Sequence, residues 1–144
     1  MATVKEGKVV LFGAGGPVGA ATIQSLKDHY ILRVTDLRPM EEIVAAPPQN
    51  ERAPIPEVLS APHEHRVVDI TDYEQVRAAC EGMDAVINVS VVRPHPVLAF
   101  HVNTVGAYNV ARACVECGIK RLIHTGPFHT SLNFNADYWH DFQI

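Results

Sequence analysis

The sequence predicts an α/β fold, a doubly wound parallel sheet of strand order 3-2-1-4-5, on three observations. Strand-like and helix-like stretches alternate along the 144 residues. The strand-like stretches are continuous apolar runs, such as Asp84-Ala85-Val86-Ile87-Asn88-Val89, the pattern of strands covered on both faces. A glycine-rich turn, Gly13-Ala14-Gly15-Gly16-Pro17-Val18-Gly19, separates the first strand from the first helix. Repeated β-α-β units with right-handed crossovers then give the stated order.

The elements follow in turn. Lys8-Val9-Val10-Leu11-Phe12 reads as the first strand, 8–12, and a helix is expected over 17–28. Pro17 falls in that helix's first turn, where a missing N–H costs nothing. The second strand is 31–35, Ile31-Leu32-Arg33-Val34-Thr35, running into Asp36. Segment 37–64 breaks the rhythm, because it holds Pro39, Pro47, Pro48, Pro54, Pro56 and Pro62, six of the ten prolines. Short helical turns near 40–45 and 56–60, joined by extended loop, are expected in place of a full crossover helix. The third strand is expected at 65–68 and the next helix at 72–81, capped by Thr71 or Asp72. The fourth strand is 84–89. A long helix is expected over 97–117, with Pro94 and Pro96 at its start and Gly118 as the residue that ends it. Val102, Val105, Val110, Ala113 and Cys114 recur along it at helical spacing and form a buried stripe. The fifth strand is 120–125.

Composition narrows the class. Apolar residues make 47% and charged residues 19% of the chain, which is globular. One domain, 1–144, is expected. The net charge of −4 and the lack of a basic stripe argue against nucleic acid as a partner. No apolar run reaches the length of a membrane span, so no membrane partner is expected. Three cysteines and no secretory signal point to reduced thiols and a cytoplasmic setting.

The glycine turn carries the chemistry. Amides at a helix N-terminus point at a pyrophosphate, and the helix dipole favours its charge. Of the G-x-x-G-x-x-G glycines, Gly13 allows the tight turn, Gly16 lets backbone approach the phosphates, and Gly19 lets helix pack on strand. Pro17 and Val18 line the same turn. Asp36 lies 20 residues after Gly16 at the tip of the second strand, where a carboxylate accepts both ribose hydroxyls of an adenosine. It repels a 2′-phosphate, so NAD is expected over NADP. Arg38 is the opposing signal, a guanidinium able to receive that phosphate. Both glycine turn and acid have plain alternatives: a ligand-free β–α turn, and an ordinary strand-end residue.

Further candidates sit at the ends of later strands. Asp69-Ile70 closes the third, where the carboxylate is placed to accept the adenine amino group. Val89-Ser90-Val91 closes the fourth beside the topological switch point, with simple packing as the alternative. Thr125 ends the fifth, as a hydrogen-bond donor to substrate or as a strand-end threonine. Cys114 and Cys117 form a C-x-x-C spacing, but at the C-terminal end of a helix, where the dipole does not acidify a thiol; packed helix cysteines are expected. His63 and His65, and His124 and His129, form pairs without a third ligand at familiar spacing, so no metal is expected.

Together these motifs resemble the extended short-chain dehydrogenase/reductase family, the NAD-dependent epimerase/dehydratases, over roughly residues 8–126. The resemblance rests on Gly13, Gly16 and Gly19, Asp36, Asp69-Ile70, the segment Val86–Val91, Asn103-Thr104-Val105-Gly106-Ala107-Tyr108-Asn109-Val110, and Lys120-Arg121-Leu122-Ile123. It implies a Rossmann-like NAD-binding domain and hydride transfer on a nucleotide sugar or similar alcohol or ketone. It also implies a Tyr-x-x-x-Lys acid/base pair, which this chain lacks. Tyr138 is followed four residues later by Phe142, and no lysine follows Lys120. Thr125 is then the one candidate for the family's catalytic hydroxyl, and Tyr138 a loop residue. The chain reads as an incomplete domain, without the catalytic helix and the substrate lobe. A homodimer through helix 97–117 is expected. The rival reading is a non-catalytic dinucleotide-binding or redox-sensing module.

Overall fold

A computed structural model describes residues 7–47, 54–93 and 95–126 of the chain. Five parallel strands, β1 (Lys8–Phe12), β2 (Ile31–Asp36), β3 (Glu64–Val67), β4 (Ala85–Asn88) and β5 (Leu122–His124), form one sheet. Its order is β3-β2-β1-β4-β5, as the sequence predicts. The helices are α1 (Pro17–Leu26), α2 (Met40–Ala45), α3 (Tyr73–Cys80), α4 (Pro96–Phe100) and α5 (Ala107–Glu116), with a π-helical turn, His101–Gly106, between the last two.

Alternation along the strands divides the core into two layers. Val9, Leu11, Leu32, Val34 and Ile87 pack on one face with Ile23 of α1 and Met40 and Ile43 of α2. Val10, Phe12 and Val86 pack on the other with Val76 and Ala79 of α3 and Val110 and Ala113 of α5. Fully burying an aliphatic side chain such as Ile23 or Val76 stabilises by about 1.5–3 kcal/mol, so α1, α2, α3 and α5 are held mainly by their apolar stripes, whereas α4 buries no residue.

Local signals act where expected. Pro17 stands in the first turn of α1, and Gly118 adopts φ 71° just beyond α5. Asp72 caps α3: its Oδ1 accepts from the amides of Glu74 at 3.0 Å and Gln75 at 3.2 Å, and its Oδ2 accepts from Gln75 Nε2. Asp72→Ala should therefore lower stability by about 1 kcal/mol, read as a shift of the urea unfolding midpoint at unchanged slope.

Two expectations are corrected. Residues 56–60 form no helix. Ile55 is steered away from the α region by Pro56, and the Leu59 amide donates to the His65 ring at 2.9 Å in place of a helical bond. The long helix 97–117 is not one α-helix but α4, the π turn and α5. Val102, Thr104, Val105 and Gly106 are weak helix formers, and the wider turn carries Asn103 and Gly106 to contacts described below.

The sequence marks Arg33 only as a strand residue, yet it is buried on the α3 face of β2. Its Nη1 donates to the carbonyls of Ala79 at 2.8 Å and Glu81 at 2.9 Å, and its Nε pairs with Glu64 at 2.8 Å. It thus satisfies the C-terminal carbonyls of α3, where a cation is also favoured by the helix dipole. Cys80 and Cys114 are buried and Cys117 half-buried. Burial pushes the Cys80 thiol up to about 12 and raises the other two, so all three are packing thiols at neutral pH. Tyr138, His129 and the rest of 127–144 lie outside the described residues, as does Pro94.

Candidate functional site

The site is built at the C-terminal ends of β1, β2, β3 and β4, where the sheet order reverses beside β1. Each glycine of the first turn has a different physical reason. Gly13 adopts φ 82°, and a Cβ there would stand 2.7 Å from the Ser90 nitrogen and 2.8 Å from its Cα. Gly19 lies against the turn itself, since a Cβ would meet the Gly13 carbonyl oxygen at 2.4 Å and the Ala14 oxygen at 2.6 Å. Gly16 is different. Its φ of −81° suits any residue, and the nearest atom to a Cβ is the Gly13 oxygen at 3.7 Å. Its bare face therefore looks into open space at the helix N-terminus.

Helix geometry supplies the amides. The amides of Gly13 and Ala14 both donate to the Thr35 carbonyl at 3.0 Å, which anchors the turn to β2. The first bond of α1 runs from the Ala20 amide to the Gly16 carbonyl at 2.8 Å. The amides of Val18 and Gly19 precede it and point out of the helix end. Val18 itself is exposed.

Asp36 closes β2 and grips the turn. Its Oδ2 accepts from the Gly15 amide at 2.9 Å and its Oδ1 from the Leu37 amide at 2.8 Å. A carboxylate offers about four acceptor positions, so two remain toward solvent. The sequence marks Gly15 only by its place in the glycine run. A Cβ there would meet Ile43 Cδ1 at 2.6 Å and Asp36 Oδ2 at 3.0 Å, so the residue must be small for the acid to reach the loop. Beside this corner, Gly15, Pro17, Arg38, Ile43, Pro54 and Ile55 border a mostly apolar cleft of about 210 Å³. Arg38 is exposed at its edge.

Asp69 and Ile70 follow β3. Asp69 Oδ1 accepts from the Thr71 amide at 2.8 Å and its hydroxyl at 2.7 Å, while Asp72 caps the helix. Ile70 is buried against Gly106 of the π turn, where a Cβ would meet Ile70 Cγ2 at 2.8 Å. Asn109 Nδ2 donates to the carbonyls of Ile70 and Thr71, both at 3.1 Å. Val89, Ser90 and Val91 follow β4, with Val89 buried and Ser90 against Gly13. Asn103 holds the same loop from the π turn: its Oδ1 accepts from the Val92 amide at 3.0 Å and its Nδ2 donates to the Val92 carbonyl at 2.8 Å. Asn103 and Asn109 thus pin the two loops that flank the switch point. Both belong to the motif behind the family resemblance, but their partners could not be read from spacing.

Thr125 is exposed beyond β5, its amide donating to the Asn88 carbonyl at 3.1 Å and its hydroxyl to the same oxygen at 3.3 Å. Among the described residues no three His, Cys, Asp or Glu side chains converge as a metal site, and no helix is long and apolar enough to cross a membrane.

Comparison with known proteins places the chain in a family. The family described as "3-beta hydroxysteroid dehydrogenase/isomerase family" matches residues 10–137. A uronate dehydrogenase of Pseudomonas putida is 28% identical over 134 residues, covering 90% of this chain and 44% of that protein. A 3beta-hydroxysteroid-dehydrogenase/decarboxylase isoform 2 of Arabidopsis thaliana is 30% identical over 131 residues, 86% of this chain and 22% of that protein. Among solved structures, a mutant uronate dehydrogenase from Agrobacterium tumefaciens complexed with NAD superposes with a TM-score of 0.63 at 23% identity. It aligns with 83% of this chain and 40% of its own, and at that identity it speaks to the fold. The chain spans less than half the length of each of these proteins.

Proposed function

The chain belongs to the 3-beta hydroxysteroid dehydrogenase/isomerase family, and on that premise we propose that it binds a nicotinamide dinucleotide, NAD in preference to NADP, as the cofactor-binding part of an oxidoreductase. The observation that carries this reading is the corner where Asp36 accepts the Gly15 amide beside the open face of Gly16. The residues fit the group. The amides of Val18 and Gly19 and the bare backbone of Gly16 receive the pyrophosphate, with Pro17 in the same turn. The two remaining acceptor positions of Asp36 take the adenosine ribose hydroxyls, and its charge opposes a 2′-phosphate. Asp69 and Ile70 border the adenine, and Val89, Ser90 and Val91 the nicotinamide-side ribose. The bound cofactor supplies the hydride donor or acceptor. The chain's own residues would hold and orient it.

The substrate proposed is an alcohol or ketone of sugar type, supported by the relatives named uronate dehydrogenase. No lysine lies four residues after any of the four tyrosines, so Thr125 is the one catalytic hydroxyl proposed among these residues. The rival reading is a dinucleotide-binding or redox-sensing module without turnover. An open reading frame that continues past the codon for Ile144 into Tyr-x-x-x-Lys supports the oxidoreductase, and a stop there supports the module.

Calorimetric titration with NAD and NADP tests the cofactor. NAD should bind more tightly, and Asp36→Ala should weaken it by about tenfold or more, since a charged acceptor is lost and the Gly15 and Leu37 amides lose their partner. Tighter NADP binding would transfer the specificity role to Arg38. A homodimer through the α4–α5 side is also proposed, on the exposed apolar side chains of Val97, Phe100, Tyr108 and Val115. Light scattering should report a dimer, and Tyr108→Glu with Val115→Glu should shift it to a monomer.

A further inference from the structure

We propose that His124 is a positioning residue for the cofactor site: the lone pair on its Nδ1 fixes the Asn88 amide that holds the Ser90 backbone against Gly13. The inference rests on the cofactor reading above, and adds a requirement on one ring nitrogen that no motif of the sequence carries.

One donor in this cluster cannot be reassigned. The Ser90 N–H is a backbone donor, and its acceptor at 3.1 Å is Asn88 Oδ1. That orients the Asn88 amide, so its NH₂ faces His124 Nδ1 at 3.0 Å. Two donors cannot share a hydrogen bond, so Nδ1 bears the lone pair and the ring proton sits on Nε2. Asn88 is 1% exposed, and an amide that deep does not trade its partners for water. Parallel register places the pair: Asn88 aligns with His124 on β5 and with Phe12 on β1, so the amide and the ring lie side by side across β4 and β5. Among the described residues the His124 ring makes no other hydrogen bond or ion pair.

The consequence reaches the glycine turn because the gap has no slack. The Ser90 nitrogen and Cα already occupy the space that a Cβ on Gly13 would need. If Nδ1 carried a proton, Asn88 would turn over to offer its oxygen to the ring and would present its NH₂ to the Ser90 N–H; if the ring lost its acceptor, the buried Asn88 NH₂ would be unpaired and the amide would move off the Ser90 N–H to find a new partner. The Ser90 amide would then lose its partner and shift against Gly13, and the turn that receives the pyrophosphate would shift with it.

The test uses the full chain labelled with ¹⁵N-histidine, together with NAD titrations by calorimetry. Long-range ¹H–¹⁵N spectra of the parent should show His124 with Nδ1 bare and Nε2 protonated. In Asn88→Asp the facing group becomes an acceptor, so the proton should appear on His124 Nδ1. His124→Phe should weaken NAD binding by about fivefold to tenfold, and His124→Gln, which restores an acceptor, should recover most of that loss. A purely space-filling role would leave His124→Gln binding NAD no better than His124→Phe. A parent that binds NAD with the proton on Nδ1 overturns this inference alone, as does a folded His124→Phe that binds NAD like the parent. A parent that binds no NAD overturns the cofactor reading as well.

Discussion

Gly16→Val is expected to abolish dinucleotide binding in a chain that still folds, whereas Gly19→Val is expected to prevent folding of the β1–α1 unit. The two glycines are three residues apart in one motif, yet their surroundings differ. At Gly16 the backbone is extended, φ −81° and ψ 167°, and a side chain would meet only the Gly13 oxygen at 3.7 Å. Valine adopts that conformation without strain, so stability should change by less than about 1 kcal/mol. Its methyl groups would fill the space where a pyrophosphate approaches the backbone, and affinity for NAD should fall by about a hundredfold or more. At Gly19 a side chain would begin 2.4 Å from one carbonyl oxygen and 2.6 Å from another, both held by the turn. Backbone on both sides leaves nothing flexible to yield, and the cost is about 3 kcal/mol or more. Circular dichroism melts and calorimetry on the two variants separate the roles. A folded Gly16→Val that binds NAD like the parent would remove the pyrophosphate from this turn.

Arg33→Met should cost about 3 kcal/mol, a large share of the stability of a domain this size. Methionine fills similar volume, so the loss isolates the guanidinium. Without it the carbonyls of Ala79 and Glu81 at the end of α3 lose their donor, and Glu64 loses its ion pair. Most of the effect should come from the two carbonyls, because Glu64 is half exposed and water screens its pairing. The hydrogen bond from Arg33 holds the Glu64 carboxyl below its usual range. A depressed carboxylate contributes stability above its unfolded pKa of about 4.5 and loses it as pH falls through the lower folded value. The gap between parent and variant should therefore narrow in acid. Urea unfolding at neutral pH and again below the folded value of Glu64 checks both parts. An equal gap at the two pH values would remove Glu64 from the account.

The sheet was legible because its signals are local and periodic. Apolar runs such as Val9-Val10-Leu11-Phe12, the Gly13–Gly19 turn and the Asp72 cap each act within a few residues. The proline segment was half legible. Its α2 turn over 40–45 was expected, but the backbone near Leu59 was settled by a histidine six residues on. The long helix misled for a related reason. Its apolar stripe is helical in period, but Asn103, Gly106 and Asn109 answer to loops after β3 and β4 that lie more than ten residues away in sequence.

The sequence by itself determined the family, the strand order and the place of the glycine turn between β1 and α1. Those depend on hydrophobic period, on glycine where no side chain fits, and on an acid at a strand tip, all carried by composition at short range. Only the tertiary structure decided that Gly13 is shaped by Ser90 while Gly16 faces open space, that Arg33 closes the end of α3, and that Asn88 and His124 meet across β4 and β5. Each of these joins residues 36 to 77 positions apart. A hydrogen bond or a steric limit acts over about 3 Å, and only the parallel register of the folded sheet brings such residues that close.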